Sequence, residues 1–276
     1  MNLYPIHTGN FKLDGGAMFG VVPKLIWNKL VPADENNLCS WAMRCLLIED
    51  GGRLILIDNG FGNKQDAKFR GHYHLHGEDS LESSLKKNGF HKDDITDVFL
   101  THLHFDHCGG SIEREGEKLV PAFKNAKYWS NEAHWKWATE PNEREKASFL
   151  KENILPIKES GQLEFLQGTE FAAGITVKYV FGHTDAMMLP VIKYRDNTIV
   201  YMADLLPSVA HIPLPYVMAY DMFPLQTLNE KKAFLEEAVD HQYILFFEHD
   251  AVHECCTLKR TEKGIRQDRL FRFDEI

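Results

Sequence analysis

Four side chains of types that commonly bind metal ions lie within six residues of this sequence. They are His102, His104, Asp106 and His107, and they directly follow the apolar residues 98–100. Three imidazoles and a carboxylate would be costly to bury unless they were paired or bound to a cation. Imidazole nitrogen and carboxylate oxygen are ligands that a borderline divalent metal ion prefers. The segment therefore predicts part of a metal site.

The spacing of these residues indicates a loop rather than a regular element. His102 and His104 stand two positions apart, whereas Asp106 and His107 are adjacent. Helical ligand pairs are four positions apart, and side chains on a strand alternate between its two faces. We therefore expect the ligands on a loop that leaves a strand. The alternative is a solvated, histidine-rich turn without a metal.

Short runs of branched and aromatic residues predict the strands that would position this loop. The predicted strands cover residues 41–48, 53–57, 95–100, 175–181, 189–194, 198–202 and 243–247. Helices are predicted at residues 79–88, 130–139, 142–153 and 227–241, the last opening with the capping pair Thr227 and Glu230. This order predicts an α/β protein in which helices cover mixed sheets.

The composition is that of an ordinary globular protein. The chain has 276 residues, of which 44% are hydrophobic and 26% are charged. No linker, low-complexity tract or repeat divides it, so we predict one domain over residues 1–276. The net charge of −9 argues against a nucleic-acid partner, because a phosphate backbone requires a basic surface.

The termini and cysteines bear on the location of the protein. Residues 1–10 have neither a basic segment nor an apolar one of the kind found in signal peptides. No run of about 18 apolar residues occurs, so we expect no membrane association. The five cysteines form no C-x-x-C pair and leave one over, which predicts reduced thiols. We therefore expect a cytoplasmic protein.

Distant residues can complete the metal site. His183, Asp204 and His249 each follow an apolar run within a position or two, where side chains from separate strands can converge. With the loop they make five histidines and two aspartates. That is too many for one tetrahedral ion and suits two metals bridged by a carboxylate and a hydroxide.

This set, preceded by the Leu-Ile-Leu-Ile-Asp-Asn-Gly run of residues 54–60, resembles the metallo-β-lactamase superfamily. The resemblance covers about residues 53–250 and implies a four-layer αβ/βα sandwich of two mixed β-sheets flanked by helices. It implies the following ligand roles. His102, His104 and His183 would hold one metal, Asp106, His107 and His249 would hold the other, and Asp204 would bridge both. Asp58 would orient ligand groups through hydrogen bonds, although a turn-capping carboxylate is the alternative.

A ligand set for two metal ions predicts a hydrolase, in which a bridging hydroxide would attack a carbonyl or phosphoryl group. Asp106 is the candidate for passing a proton to the leaving alkoxide. Zinc is the expected ion for both positions, and Mn, Fe and Co are alternatives that the same ligands accept.

Within the superfamily, the sequence resembles the quorum-quenching lactonases that open N-acyl-homoserine lactones. The segments that carry this resemblance are residues 13–23, 203–207 and 215–221. They imply an apolar pocket for an acyl chain that includes Met18 and Phe19. Many such lactonases carry a Tyr three residues after the bridging Asp, where this chain has Pro207. His211 or Tyr220 could polarise the lactone carbonyl instead.

Other functions remain open at the level of the sequence. A phosphotriesterase-like or generic ester hydrolase of the same fold would use the same ligands, and a non-catalytic metal-binding protein is a further alternative. The partner would be a small-molecule ester or lactone, and an apolar rim leaves a homodimer open. His72, His74 and His76 could form a second metal site, a pocket rim or an exposed loop.

Overall fold

The computed structural model describes residues 1–276, which form fifteen strands and eight α-helices. The strands are β1 (Asn2–Asp14), β2 (Leu38–Asp50), β3 (Arg53–Ile57), β4 (Asp97–Phe99), β5 (Ile112–Glu115), β6 (Lys118–Pro121), β7 (Lys127–Ser130), β8 (Leu163–Phe165), β9 (Glu170–Ala172), β10 (Ile175–Val180), β11 (Met187–Tyr194), β12 (Asn197–Tyr201), β13 (Ile244–Phe246), β14 (Cys255–Thr261) and β15 (Gly264–Phe271). The helices are α1 (Gly15–Phe19), α2 (Lys24–Trp27), α3 (Ala67–Tyr73), α4 (Leu81–Lys87), α5 (Phe105–Cys108), α6 (Glu132–Thr139), α7 (Lys151–Glu159) and α8 (Pro224–Asp240).

The chain divides into two compact units. The first unit comprises Met1–Gly9 and Met43–Gly168, and the second comprises Asn10–Ala42 and Thr169–Ile276. The boundaries between the segments of the two units fall inside β1 and β2 and directly before β9. The single domain expected over residues 1–276 stays a prediction.

The first unit contains a mixed sheet in the order β1-β2-β3-β4-β7-β8. β2 and β3 are antiparallel, whereas β3, β4, β7 and β8 are parallel neighbours. Because β3, β4 and β7 run in the same direction, the residues that follow β3 and β4 lie at one edge of the sheet. Those residues are Asp58 and the 101–107 loop.

Apolar side chains from this sheet and its helices form the core of the first unit. Leu56 and Val98 on the strands pack in one cluster with Leu85 on α4, Trp135 on α6 and Ile157 on α7. Each of these helices buries one face, and burial of a side chain of this size stabilises the fold by about 1.5–3 kcal/mol. The core therefore fixes the strand ends from which the candidate ligands emerge.

The second unit contains a mixed sheet in the order β15-β14-β13-β12-β11-β10-β9. β11 is antiparallel to both β10 and β12, and β13 is parallel to β12. β10, β12 and β13 therefore run in the same direction, and their carboxyl ends lie at one edge. His183, Asp204 and His249 follow these three ends in the chain.

Helix α8 packs against the sheet of the second unit. Its buried positions are Thr227, Lys231, Phe234, Leu235 and Ala238, a spacing that places them on one helical face. Pro224 occupies the first helical turn, where its missing N–H costs no hydrogen bond. None of the helices in the protein combines the length and apolar content needed to cross a lipid bilayer.

The predicted α/β class with mixed sheets is confirmed. Strands overlap all seven predicted strand segments, as β2, β3, β4, β10, β11, β12 and β13, and helices overlap the predicted segments 79–88, 130–139 and 227–241. The prediction did not include β1, because its thirteen residues alternate irregularly between apolar and polar types. It also did not include the short strands β5–β9, the hairpin β14–β15, helices α1–α3, or the single-turn helix α5, which carries Asp106 and His107 where a loop was expected.

Two helix predictions are wrong in detail. Residues 143–148 form turns, because the Asn142 side chain accepts the backbone N–H groups of Arg144 and Glu145 and so competes with a helix. The helix begins only at Lys151. The predicted capping pair at the start of α8 is also wrong, since the helix begins three residues earlier and Thr227 lies in its interior. Glu230 instead accepts the backbone N–H groups of Phe181 and Gly182.

Candidate metal centre

In the first unit, the site is built on the residue that follows β3. Asp58 has a φ of 54°, a left-handed conformation that few residues other than Gly, Asn and Asp adopt readily. Its backbone N–H donates to the carbonyl of Phe99 at 2.9 Å. Its carboxylate accepts from the backbone N–H of Thr101 at 2.8 Å and from the Thr101 hydroxyl at 2.7 Å. Asp58 therefore ties the end of β3 to the start of the ligand loop.

The ligand loop carries its four candidate side chains on a short extended stretch and on the single turn of α5. His102 and His104 are both buried, with Nε2 of the former 3.0 Å from Nδ1 of the latter. Asp106 and His107 lie on α5, where an Asp106 oxygen is 3.9 Å from Nε2 of His107. Nδ1 of His107 lies 3.1 Å from the Asp58 carboxylate. This is the contact through which Asp58 would orient a ligand.

Glu145 holds the second nitrogen of His104. Its Oε1 lies 2.9 Å from Nε2 of His104, and its Oε2 accepts from the indole N–H of Trp137 at 2.6 Å. The Glu145 side chain is only 2% exposed. Sequence reasoning missed this residue, because it lies 41 positions from His104 and no local pattern marks the contact.

In the second unit, three candidate ligands meet at the edge formed by the strand ends. Asp204 lies between two histidines, with one oxygen 3.1 Å from Nε2 of His183 and the other 3.1 Å from Nε2 of His249. All three side chains are buried. The common direction of β10, β12 and β13 explains why residues so far apart in the chain converge here.

The second nitrogens of these two histidines also have acceptors. Nδ1 of His183 lies 2.8 Å from the buried carboxylate of Asp221, and Nδ1 of His249 lies 2.8 Å from the backbone carbonyl of Ala42. Burial lowers the pKa of His183, but the carboxylates of Asp204 and Asp221 outweigh it and raise that pKa to about 10. Sequence reasoning missed Asp221, which follows a loop without regular structure.

The chain before His183 is held by α8. A Cβ on Gly182 would lie 2.3 Å from the backbone nitrogen of Thr227, so only glycine fits this close approach. The backbone N–H groups of Phe181 and Gly182 donate to the Glu230 carboxylate at 2.9 and 3.0 Å. Helix α8 therefore sets the position from which His183 leaves the sheet.

All five candidate ligand histidines have one ring nitrogen directed at a protein hydrogen-bonding group. For His102 that group is the Thr101 hydroxyl, at 3.1 Å from Nδ1. The others are directed at Glu145, Asp58, Asp221 and the Ala42 carbonyl. Metal-binding histidines almost always make such a contact, which fixes the ring and presents the opposite nitrogen to the ion. The donor set thus fits divalent metal ions.

His211 has a different environment from the candidate ligands. It is the last residue of the short 3₁₀ helix Val209–His211 and is 1% exposed, and its ring stacks on Phe19 with centroids 4.7 Å apart. Burial lowers the pKa of His211 to about 3, so the ring is neutral at neutral pH. Nε2 then donates to the carbonyl of Met18 at 2.9 Å, and Nδ1 accepts from the Ser208 hydroxyl at 2.8 Å. Its only N–H is therefore already used.

The predicted pocket residues Met18 and Phe19 belong to the same packed cluster. The Phe19 ring stacks on Trp27 at 5.3 Å with an interplanar angle of 9°, and both Met18 and Phe19 are buried. Neither side chain presents appreciable surface to a substrate in this structure. Tyr220 differs, because it is 38% exposed.

An aromatic cluster that the sequence reasoning missed lies in the first unit next to the ligand loop. It consists of Phe61, Phe69, Tyr73 and Phe105, with ring centroids 4.6–5.6 Å apart. Phe105 directly follows His104. Burial and the nearby Asp106 carboxylate raise the pKa of Tyr73 to about 12. The three histidines at positions 72, 74 and 76 are exposed beside this cluster.

The chain is similar to known proteins in sequence and in fold. The sequence matches the family model of the metallo-β-lactamase superfamily over residues 44–249. It is similar to the N-acyl homoserine lactonase of Bacillus cereus, with 25% identity over 266 residues, 91% of this chain and 94% of the relative. The lactonase AiiA of Bacillus thuringiensis subsp. kurstaki is similar to the same extent.

Solved structures agree with this assignment. A probable metal-dependent hydrolase from Staphylococcus aureus has a TM-score of 0.89 and 29% identity, covering 98% of this chain and 96% of that one. AidC, a dizinc quorum-quenching lactonase in complex with a product, has a TM-score of 0.81 at 20% identity, covering 98% and 95%, which shows a common fold. The match to the family model, over residues 44–249, covers well over half of the chain. The chain therefore belongs to the metallo-β-lactamase superfamily and is a metal-dependent hydrolase.

Proposed function

We propose that the protein opens the lactone ring of N-acyl-homoserine lactones with two divalent metal ions. The observation that carries this proposal is the orientation of all five candidate histidines by hydrogen-bonding groups of their own units. The similarity to N-acyl homoserine lactonases over 91% of the chain supports the choice of substrate.

The proposed ligands divide into two sets that share one carboxylate. His102, His104 and His183 would hold one ion, and Asp106, His107 and His249 would hold the other. Asp204 would contact both, since its two oxygens already face different histidines, His183 and His249. Zinc is the first choice for both ions, with Mn, Fe or Co as alternatives. Bound divalent ions would lower the pKa of water and polarise a carbonyl oxygen.

The aromatic cluster of the first unit is the proposed contact surface for the acyl chain. It lies next to the ligand loop through Phe105, and its Phe69 and Tyr73 side chains are partly exposed. Burial of a chain against such rings is favourable by about 25 cal/mol for each Å² of apolar surface. Met18 and Phe19, which the sequence predicted for this role, are buried in the packing of the second unit and present little surface to an acyl chain.

The carbonyl-polarising group is proposed to be a tyrosine rather than His211. The single N–H of His211 already donates to the Met18 carbonyl. Tyr220 is partly exposed, and the Tyr73 hydroxyl forms no hydrogen bond with the protein and keeps its proton at neutral pH because its pKa is about 12. Asp106 remains the proposed group that carries the proton to the leaving alkoxide.

A substrate panel tests the proposed reaction. Purified, metal-loaded protein is assayed with N-acyl-homoserine lactones, aryl esters, aryl phosphotriesters, phosphodiesters and thioesters. We expect kcat/KM to be highest for the lactones, and higher for long acyl chains than for short ones. If kcat/KM is higher for a phosphotriester or an aryl ester than for the lactones, the proposed lactonase function is wrong and that other activity takes its place.

Tyrosine variants identify the polarising group. Tyr220→Phe or Tyr73→Phe is expected to lower kcat about tenfold or more if that hydroxyl stabilises the developing oxyanion. Tyr243→Phe is the matched control, because its hydroxyl bonds Glu237 at 2.9 Å, away from the candidate ligands. Unchanged kcat in both test variants would leave the backbone and the metal ions as the sources of polarisation.

A further inference from the structure

The second unit contains a cavity of about 680 Å³ that none of the proposed metal ligands lines. We call it the Trp41 pocket. Its walls are largely apolar and include Val31, Pro32, Val209 and Leu270 around Trp41. The volume falls within the range of about 300–1,000 Å³ that is typical of sites for small molecules. The pocket is therefore large enough for a medium-length hydrocarbon chain.

Trp41, which lines the pocket, has a hydrogen-bond donor that the protein leaves unused. The side chain is 1% exposed, and its indole Nε1 has no hydrogen-bond partner in the protein. Buried indole N–H groups usually have a partner, because an unsatisfied donor costs about 1–3 kcal/mol. An oxygen atom of a bound molecule would satisfy this donor.

Arg266 supplies an unpaired positive charge. It lies half-buried in the wall of the pocket, and its guanidinium donates only to the carbonyl of the neighbouring Ile265, at 2.6 Å. It forms no ion pair, although a guanidinium offers five donors in a geometry that matches a carboxylate. A bound anion is therefore favoured at this side of the pocket.

The one carboxylate in the pocket wall is already satisfied. The oxygens of Asp250 accept the backbone N–H groups of Val209, Val252 and His253 at 2.7–3.0 Å. These three hydrogen bonds hold the Asp250 carboxylate to the loop that it caps. Asp250 forms no ion pair with Arg266, whose guanidinium therefore keeps donors for an anion in the pocket.

We propose that the Trp41 pocket binds a carboxylate with an unbranched apolar chain. The carboxylate pairs with Arg266, an oxygen of the ligand accepts from Trp41 Nε1, and the chain lies against Val31, Val209 and Leu270. Two sources share this chemistry: a free fatty acid and an N-acylated amino acid. The site is separate from the proposed lactonase function and does not depend on it.

Calorimetry on the purified, metal-loaded protein tests the proposal with decanoate, N-decanoyl-L-homoserine and decanol. Decanoate could also bind at the metal ions, so variants of the pocket decide. Arg266→Gln is expected to weaken carboxylate binding at this site about tenfold, the usual effect of losing one charged hydrogen bond. It should leave decanol binding unchanged. Arg269→Gln is the matched control, because this arginine lies on the same strand, stacks on Phe271 and does not line the pocket.

Trp41→Phe tests the second donor, and photolabelling tests the location. Trp41→Phe keeps an aromatic ring and is expected to weaken binding severalfold. Because this buried variant could fail to fold, a decanoic acid with a diazirine at its end is also crosslinked to the wild-type protein. Labels within residues 208–216 or 266–270 support the pocket. Labels only elsewhere, or equal decanoate affinity in Arg266→Gln and the wild type, would overturn it.

The two carboxylates identify the source of the ligand. Tighter binding of N-decanoyl-L-homoserine, lost in Arg266→Gln, supports an acylated amino acid. Tighter binding of decanoate, lost in the same variant, supports a free fatty acid. Absence of binding of both at their solubility limits would overturn the proposal. None of these outcomes changes the test of the lactonase activity, which measures substrate turnover.

Discussion

The five candidate ligand histidines differ in what holds their second nitrogen. Three contact carboxylates, one contacts a hydroxyl and one contacts a backbone carbonyl. A carboxylate acceptor makes the imidazole a stronger ligand, so Glu145, Asp58 and Asp221 are expected to matter for metal affinity as well as for geometry. Glu145 offers the clearest test, because it contacts His104 from a different part of the first unit.

Replacing Glu145 is expected to weaken metal binding. Glu145→Ala frees the His104 ring to rotate, and loss of such a partner typically lowers metal affinity about 10- to 100-fold. Competition with a chromophoric chelator measures the affinity. Asp97→Asn is the matched control, because Asp97 also accepts from an indole, that of Trp129 at 2.8 Å, but pairs with Arg53 rather than a ligand. Equal metal affinity in Glu145→Ala and the wild type would contradict the assignment.

His211 is expected to make stability depend on pH. Its pKa is about 3 in the folded protein and 6.5 without the burial, so below pH 6.5 the unfolded chain binds the extra proton. The contribution of His211 to the free energy of unfolding is therefore complete above pH 6.5, and it is lost as the pH falls toward 3. The slope is at most about 1.4 kcal/mol per pH unit. Between pH 6.5 and 4.5, the free energy of unfolding, measured with urea, should fall less steeply in His211→Gln than in the wild type. Parallel curves for the two proteins would show that His211 does not titrate in this way.

At the scale of elements, the contact between α8 and the end of β10 positions His183. Glycine is required at 182 because α8 approaches within 2.3 Å of where a Cβ would lie. The Glu230 carboxylate then holds the two N–H groups that precede His183. A helix that begins three residues before its predicted start therefore supports a candidate ligand in another segment of the chain.

Adding a methyl group at this contact is expected to disturb both stability and metal binding. Gly182→Ala forces α8 or the end of β10 to move, and such overpacking costs about 1–3 kcal/mol. Urea unfolding and the chelator competition measure the two effects. Gly71→Ala is the control, because a Cβ there meets no atom within 4 Å. Normal stability and metal affinity in Gly182→Ala would mean that α8 and the chain at residue 182 can move apart at little cost, which would contradict this role of the contact.

At the scale of the whole molecule, bound metal is expected to stabilise the folded protein. The candidate ligands are assembled only by folding, and a species that binds only the folded state raises its stability through mass action. Removing metal with a chelator should abolish hydrolysis and lower the unfolding temperature. Adding zinc, manganese, iron or cobalt should restore both to different degrees. A chelated protein that keeps full activity would refute the metal-dependent mechanism. The homodimer, which sedimentation velocity would detect, stays a prediction.

The ligand types were predictable, whereas their supports were not. His183, Asp204 and His249 each follow an apolar strand, and strand signals are local, so a single sequence shows them. Glu145, Asp221 and the Ala42 carbonyl contact their histidines only because distant segments of the same unit pass close by, and no local sequence pattern indicates these contacts. The aromatic cluster around Tyr73 and the packing of Phe19 against His211 could not be predicted for the same reason.

The sequence by itself determined the identity and order of the candidate ligands, the strands that carry them and the family to which they belong. It could do so because ligand chemistry depends on residue type, and strand formation depends largely on local apolar patterns. Only the tertiary structure decided which nitrogen of each histidine is held, and that His211 is neutral and already hydrogen-bonded. It also left the Trp41 indole N–H without a hydrogen-bond partner and Arg266 without an ion pair in the wall of one cavity. These properties depend on distances between residues remote in the chain, which packing sets and local patterns do not record.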